Sequence, residues 1–293
     1  MHNVGAIIYY DILHDYGFNF YLQLKMEVCV MEFNLDKDAP IGVMDSGMGG
    51  ISVLRELVKL LPNENFIFYG DSANAPYGSR STENIYELTE NVVQKLIAKG
   101  VKGVVIACNT ASSAAGRRLR EEYPQLPIVA IEPALKPAVI GCPNGRVVVL
   151  ATEATLREKK FANLLEQWQG KAEIIKLPLP GLPEFVERGE LDSPALREFL
   201  QGYFKTLGDK PVDGVVLGCT HYPFVRKVIG ELLGPQVKIY DGAAGTARQL
   251  RRRLFRRQLL SDRQAKGQVQ WLNSSPNPEM INLSQKLFNI QID

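Results

Sequence analysis

The chain has 293 residues, 45% hydrophobic and 23% charged, with a formal net charge of +2. That balance belongs to a soluble globular protein of about two domains, and it argues against a disordered chain. The near-neutral charge gives no global reason to expect a nucleic acid or an anionic membrane as partner.

Residues 1–38 read as an N-terminal extension. The segment is rich in aromatics and carries Asp11, His14 and Asp15 inside an otherwise apolar run. It lacks the basic start, unbroken apolar stretch and small-residue cleavage site of a signal peptide. It also lacks the roughly 20 uninterrupted apolar residues of a membrane span. Met26 and Met31 lie downstream as alternative starts. The extension is expected to have no role in catalysis.

From Ala39 onward, short apolar runs alternate with helical patterns. Ile41–Met44 reads as a strand, Ser52–Leu61 as a helix, Phe66–Tyr69 as a strand, and Thr82–Ala98 as a long helix. Strands follow at Val104–Ala107, Ile128–Ile131 and Arg146–Leu150. Buried strands joined by amphipathic helices imply a parallel α/β sheet, whose functional residues gather at the carboxyl ends of its strands. Pro178–Pro183 reads as a loop before Glu184–Gly189. Thr246–Leu260 reads as a basic helix with Arg248, Arg251, Arg252, Arg253, Arg256 and Arg257 on more than one face. Without the interleaved aromatics of a base-stacking surface, it is read as solvated, and nucleic acid is not expected.

An internal repeat organises the chain. Val101–Thr110 aligns with Val212–His221, each a buried strand running into a cysteine followed by hydrogen-bonding residues. Upstream, Ile41–Asp45 has a counterpart in Val147–Thr152 at nearly the same spacing. Two related halves are therefore expected: two pseudo-symmetric parallel-sheet α/β domains, 39–134 plus 243–293 and 135–242, with the active site in the cleft between them.

Four cysteines, Cys29, Cys108, Cys142 and Cys219, are scattered singly with no CxxC pair. This spacing suggests neither a disulfide framework nor the usual zinc site, and a reducing cytoplasm is the simplest setting. Asp45-Ser46-Gly47-Met48-Gly49-Gly50 sits at a strand–helix turn but does not complete a dinucleotide fingerprint. It places a carboxylate beside a small polar substrate, or merely caps a turn. Pro76 and Gly78 shape an irregular loop around Tyr77 that offers backbone N–H groups and hydroxyls. Cys108-Asn109-Thr110 and Cys219-Thr220-His221 pair thiols with groups able to hold a carboxylate. A thiol exchanges a proton near neutral pH when its surroundings tune it, and His221 is placed to assist. Zinc held by two Cys and a His is the alternative for these residues.

On these blocks, and on Ala107–Ser112 and Gly218–Pro223 in combination, the sequence resembles the glutamate racemase family from Ala39 to about Arg257. The resemblance implies interconversion of L- and D-glutamate without metal or cofactor, with the D-isomer entering peptidoglycan. It implies Cys108 and Cys219 as opposed acid/base thiols, tuned by Asp45 and His221. Asp45, Ser46, Pro76, Tyr77, Gly78, Asn109, Thr110, Thr155, Thr220 and His221 would bind substrate. Thr152 and Glu187 would give support. A homodimer fits the family, although the sequence itself is silent on assembly. Ala154, Glu158 and Phe161 depart from the common pattern, where many relatives have Gly, Ser and Tyr. The rivals are an aspartate racemase, a binding protein without turnover, and a zinc hydrolase.

Overall fold

Strand β1 (Ile41–Asp45) is buried at all five positions, as expected of a strand covered on both faces of a parallel sheet. Strands β2 (Phe66–Gly70), β3 (Gly103–Ile106), β4 (Ile128–Ala130) and β9 (Val269–Asn273) join it in one sheet of order β4-β3-β1-β2-β9. A second sheet contains β5 (Arg146–Ala151), β6 (Glu173–Pro178), β7 (Gly214–Leu217) and β8 (Lys238–Asp241), in the order β6-β5-β7-β8. All neighbouring strands in both sheets are parallel. This computed structural model describes residues 35–290 apart from residue 169. Residues 1–34 of the N-terminal extension, with Cys29, and the extension's dispensability lie outside the described residues.

Placed side by side, β4-β3-β1-β2 and β8-β7-β5-β6 are the same arrangement. In each half the first strand lies between the second and third, and the fourth lies outside the third. The repeat in the sequence is therefore a repeat of topology, with β3 matching β7 and β9 added at one edge. Both cysteines of the repeat follow the equivalent strand.

Helices cover the sheets: α1 (Ile51–Leu60), α2 (Thr82–Ile97), α3 (Asn109–Glu122), α4 (Leu135–Gly141), α5 (Glu153–Arg157) and α6 (Lys159–Glu166). They are followed by α7 (Leu182–Glu187), α8 (Pro194–Phe204), α9 (Arg226–Leu233), α10 (Ala243–Arg256) and α11 (Glu279–Asn289). Helix α10 packs on α1, with Leu250 and Leu254 fully buried in the same cluster as Leu54 and Leu57. Its residues Arg248, Arg251, Arg252 and Arg256 are exposed on the outward side. Phe255 lies there too, 71% exposed, so the solvent face carries one aromatic that the pattern reading passed over.

Two local expectations need correction. The Pro-rich stretch is not one loop: β6 runs through Pro178, and α7 begins at Leu182 with Pro183 in its first turn. A proline is tolerated there because the first helical N–H groups have no intrahelical acceptor. Helix α10 stops at Arg256 rather than Leu260, and Gln258 adopts a positive φ of 57° that ends any continuation.

Candidate active site

The carboxyl ends of β1, β2, β3, β5, β6 and β7 converge on a cleft of about 480 Å³. Its walls include Ser46, Ser72, Pro76, Tyr77, Gly78, Cys108, Asn109 and Thr110 from the first sheet's loops. Thr152, Glu153, Glu184, Glu187, Cys219, Thr220 and His221 come from the second. Both thiols are buried, 5% exposed at Cys108 and 8% at Cys219, and both are free. Cys142, also free and buried, lies in the core of the second half with its thiol toward Asp213 O.

The two thiols have unlike surroundings. Cys108 caps α3: its Sγ accepts from Ala111 N at 3.4 Å, and Ser46 Oγ lies 3.3 Å away. Burial and then the nearby Asp45 carboxylate push the Cys108 thiol up to about 12, outweighing those two hydrogen bonds. Cys219 instead faces His221, with Nδ1 at 3.7 Å. The other ring nitrogen, Nε2, lies 3.0 Å from Glu187 Oε1. Burial pulls His221 down, but its bonds to Cys219 and Glu187 outweigh this, and its pKa lies well above the ordinary imidazole value. In return, Glu187 sits below the usual carboxylate range, its burial overcome by His221.

Asp45 is fully buried, and it lies behind the wall rather than in it. It accepts from Gly47 N at 3.0 Å and from Thr220 Oγ1 at 3.1 Å, so it ties the two halves together. Burial raises its pKa, opposed by His221 and by these hydrogen bonds. The second cysteine's loop rests on the Asp45–Gly50 turn: a Cβ on Gly49 would stand 2.5 Å from His221 Nδ1 and 2.7 Å from His221 N. Ser52 Oγ also donates to Thr220 O at 2.9 Å. Only glycine allows this approach.

Three threonines meet at the other end of the cleft. Thr110 Oγ1 lies 2.9 Å from Thr152 Oγ1 and 3.2 Å from Thr155 Oγ1, with 3.0 Å between the last two. Thr155 is fully buried behind Thr110 and Thr152. Asn109 is 4% exposed, and its Oδ1 has no hydrogen-bond partner. Tyr77 OH donates to Asp71 Oδ2 at 2.6 Å, which fixes the loop carrying Pro76 and Gly78.

The sequence-selected residues thus assemble around one cavity, with Asp45 and Thr155 one layer back. Ser72, Glu153 and Glu184 line it as well, and none was singled out from sequence because hydroxyls and carboxylates next to turns are common everywhere. The three departures also have places. Ala154 and Phe161 are buried, Phe161 in the apolar cluster of the second half, and Glu158 accepts from Thr82 Oγ1 at 2.8 Å across the halves. Among the described residues no group of three or more His, Cys, Asp or Glu is arranged to hold a metal ion. No helix among them is long and apolar enough to cross a membrane.

Known proteins share this fold. The family model described as Asp/Glu/Hydantoin racemase matches residues 41–250. A glutamate racemase of Clostridium perfringens is 47% identical over 255 residues, covering 87% of this chain and 98% of that protein. The crystal structure of a glutamate racemase isoform from Bacillus anthracis has a TM-score of 0.79 at 28% identity, covering 88% of this chain and 96% of that one. Glutamate racemase from Francisella tularensis, solved with D-glutamate, has a TM-score of 0.76 at 27% identity, covering 87% of this chain and 95% of that one. With two thiols at equivalent strand ends and this likeness along nearly the whole length of its relatives, the chain belongs to the Asp/Glu/Hydantoin racemase family and is a racemase, an isomerase by reaction class.

Proposed function

We propose that the chain interconverts L- and D-glutamate by a two-base reaction at Cys108 and Cys219, using no metal or cofactor. The observation that carries this reading is the pair of buried thiols delivered by matching strands to one cleft, one beside an anion and the other beside a cation. Inversion at a carbon needs a base on one face and an acid on the other, since a single base returning its own proton restores the starting isomer. With its thiol pushed up to about 12, Cys108 holds its proton at neutral pH and serves as the resting acid. Cys219, facing His221, is the opposed base for that direction. Turnover in the opposite direction exchanges these roles.

The α-proton of an amino acid is very weakly acidic, so the site must stabilise developing negative charge with fixed donors. The Thr110 and Thr152 hydroxyls, backed by Thr155, suit a carboxylate; Thr110 lies in the first turn of the 14-residue helix α3, and Thr152 caps α5. The unsatisfied Asn109 Oδ1 suits the substrate ammonium. Ser46, Tyr77, Gly78 and Thr220 complete the walls, and Glu187 holds His221 in its charged form. Glutamate is preferred over aspartate because the relatives of similar length are glutamate racemases and because His221 follows Thr220. The D-isomer would supply peptidoglycan synthesis from the cytoplasm, a reducing setting that keeps the thiols free.

The test is proton NMR of the purified chain with L-glutamate in D2O and no additive. Loss of the α-proton signal with growth of D-glutamate is the expected result. Exchange with L-aspartate alone would move the assignment to that substrate, and exchange with neither would leave a binding protein.

A further inference from the structure

We propose that Ser72 is a further substrate-facing hydroxyl and that Asn273, on the C-terminal strand, is its positioning residue; this rests on the glutamate reading above. Ser72 lies in the 69–79 loop but was given no role of its own, and Asn273 lies past the region matched by the family model, which ends at residue 250.

The geometry begins with strand pairing. β9 runs parallel to β2 with Asn273 opposite Gly70, so the end of β9 arrives beside the loop that leaves β2 for the cleft. Three hydrogen bonds then join the two segments. Asn273 Nδ2 donates to Ser72 Oγ at 2.9 Å, Ala73 N donates to Ser274 Oγ at 2.9 Å, and Ser274 N donates to Gly70 O at 2.9 Å. Gly70 has no side chain to keep them apart: a Cβ there would stand 2.9 Å from Asn273 Nδ2.

The direction of the amide is fixed by chemistry. Ser275 N, which can only donate, points at Asn273 Oδ1 at 2.8 Å. Oδ1 is therefore the acceptor, and Nδ2 must be the group facing Ser72. Because Nδ2 only donates, Ser72 Oγ must accept, and its own proton is left to be given elsewhere. Ser72 lines the cleft, so that proton is available to an anionic group of the substrate. Among the described residues the cleft lining carries Glu153, Glu184 and Glu187 and neither Lys nor Arg, so each oriented hydroxyl donor counts toward holding a dicarboxylate.

β9 is a stable platform for this task. Trp271 packs on Phe68 of β2 with ring centroids 5.8 Å apart, and on Phe288 of α11 at 5.4 Å. The strand end is thus held on both sides while its last residue reaches the loop.

Asn273→Asp tests the idea with little change in shape. The aspartate still accepts from Ser275 N, but its second oxygen now accepts the Ser72 proton and turns it from the cleft. KM for L-glutamate should rise roughly 10- to 100-fold, the scale of one lost hydrogen bond to a charged group, with kcat changed less than about twofold. Ser72→Ala should raise KM by a similar factor, and the Ser72→Ala/Asn273→Asp double variant should be no worse than Ser72→Ala. Asn273→Ala, which adds no charge, should show a smaller rise in KM, and melting temperatures check that all variants fold. If Asn273→Asp multiplies KM equally with and without Ser72, it acts through charge alone and the proposal is overturned. Unchanged KM in both single variants overturns it as well. If the wild-type chain does not exchange the glutamate α-proton, the substrate reading fails and this inference with it; an active wild type with unchanged variants sinks this inference alone.

Discussion

A thiol deep in a protein is costly to ionise, and Cys108 shows the effect of burial compounded by a neighbouring carboxylate. Cys219 has a cation at 3.7 Å in place of that carboxylate. Replacing either cysteine by serine removes a proton carrier without removing the cleft, so racemisation should fall roughly 10²- to 10⁴-fold while glutamate still binds, as calorimetry would read. The His221–Glu187 pair carries a pH prediction with a definite sign. His221 is raised above its ordinary value, so its imidazolium persists at neutral pH and is lost as pH rises through that raised value. Glu187→Gln removes one of the charges that raises it, so the alkaline limb of kcat/KM against pH should move to lower pH, with a loss of about tenfold at pH 8. An unmoved limb would show that Glu187 does not govern the protonation of His221. Cys108, Cys219 and His221 were legible in the sequence as site candidates because the strand–Cys pattern occurs twice. Ser72 and Asn273 were not, because their contact joins residues some two hundred positions apart.

At the scale of elements, the strand–helix turn at Asp45–Gly50 is a socket for the second cysteine's loop. Gly49→Ala would drive a methyl group into His221, and a displacement of that order is expected to lower kcat/KM about 10²-fold, with a smaller fall in melting temperature. The opposite ends of the strands carry a different device. Lys102, fully buried just before β3, donates to Glu64, 4% exposed just before β2, and also to Lys37 O. Glu64 in turn accepts from Ser261 N at 2.9 Å. Lys102→Ala leaves a buried carboxylate unpaired and should cost about 3–5 kcal/mol in urea denaturation. The Lys102→Met/Glu64→Leu pair should cost less than that single change, because no buried charge is stranded. The patterns that set strands and helices were local, and observed ends fall within about one residue for most of them. The Pro178–Pro183 stretch failed because a proline at an edge strand's end or in a helix's first turn looks the same in sequence as one in a loop.

At the scale of the molecule, one strand order occurs twice, as β4-β3-β1-β2 and β8-β7-β5-β6, and the cleft lies at the carboxyl ends of both sheets. Equivalent strand ends bring equivalent thiols, and what differs between the halves is the polar company each thiol keeps. EDTA is expected to leave turnover unchanged, and full inhibition by the chelator would favour the zinc reading; among the described residues no group of three or more His, Cys, Asp or Glu is arranged to hold a metal ion. Arg248, Arg251, Arg252 and Arg256 of α10 face solvent while its leucines pack inward, so the basic helix is an amphipathic support of the first sheet.

The sequence by itself determined the α/β class, the repeated plan and which two thiols follow matching strands, since burial periodicity and strand motifs are written in neighbouring residues. The tertiary structure decided the rest: which thiol meets an anion and which a cation, that Asp45 and Thr155 stand behind the wall, and that the last strand reaches back to the cleft. Those are contacts between distant segments, and their electrostatic effect depends on depth and distance, which no linear pattern encodes.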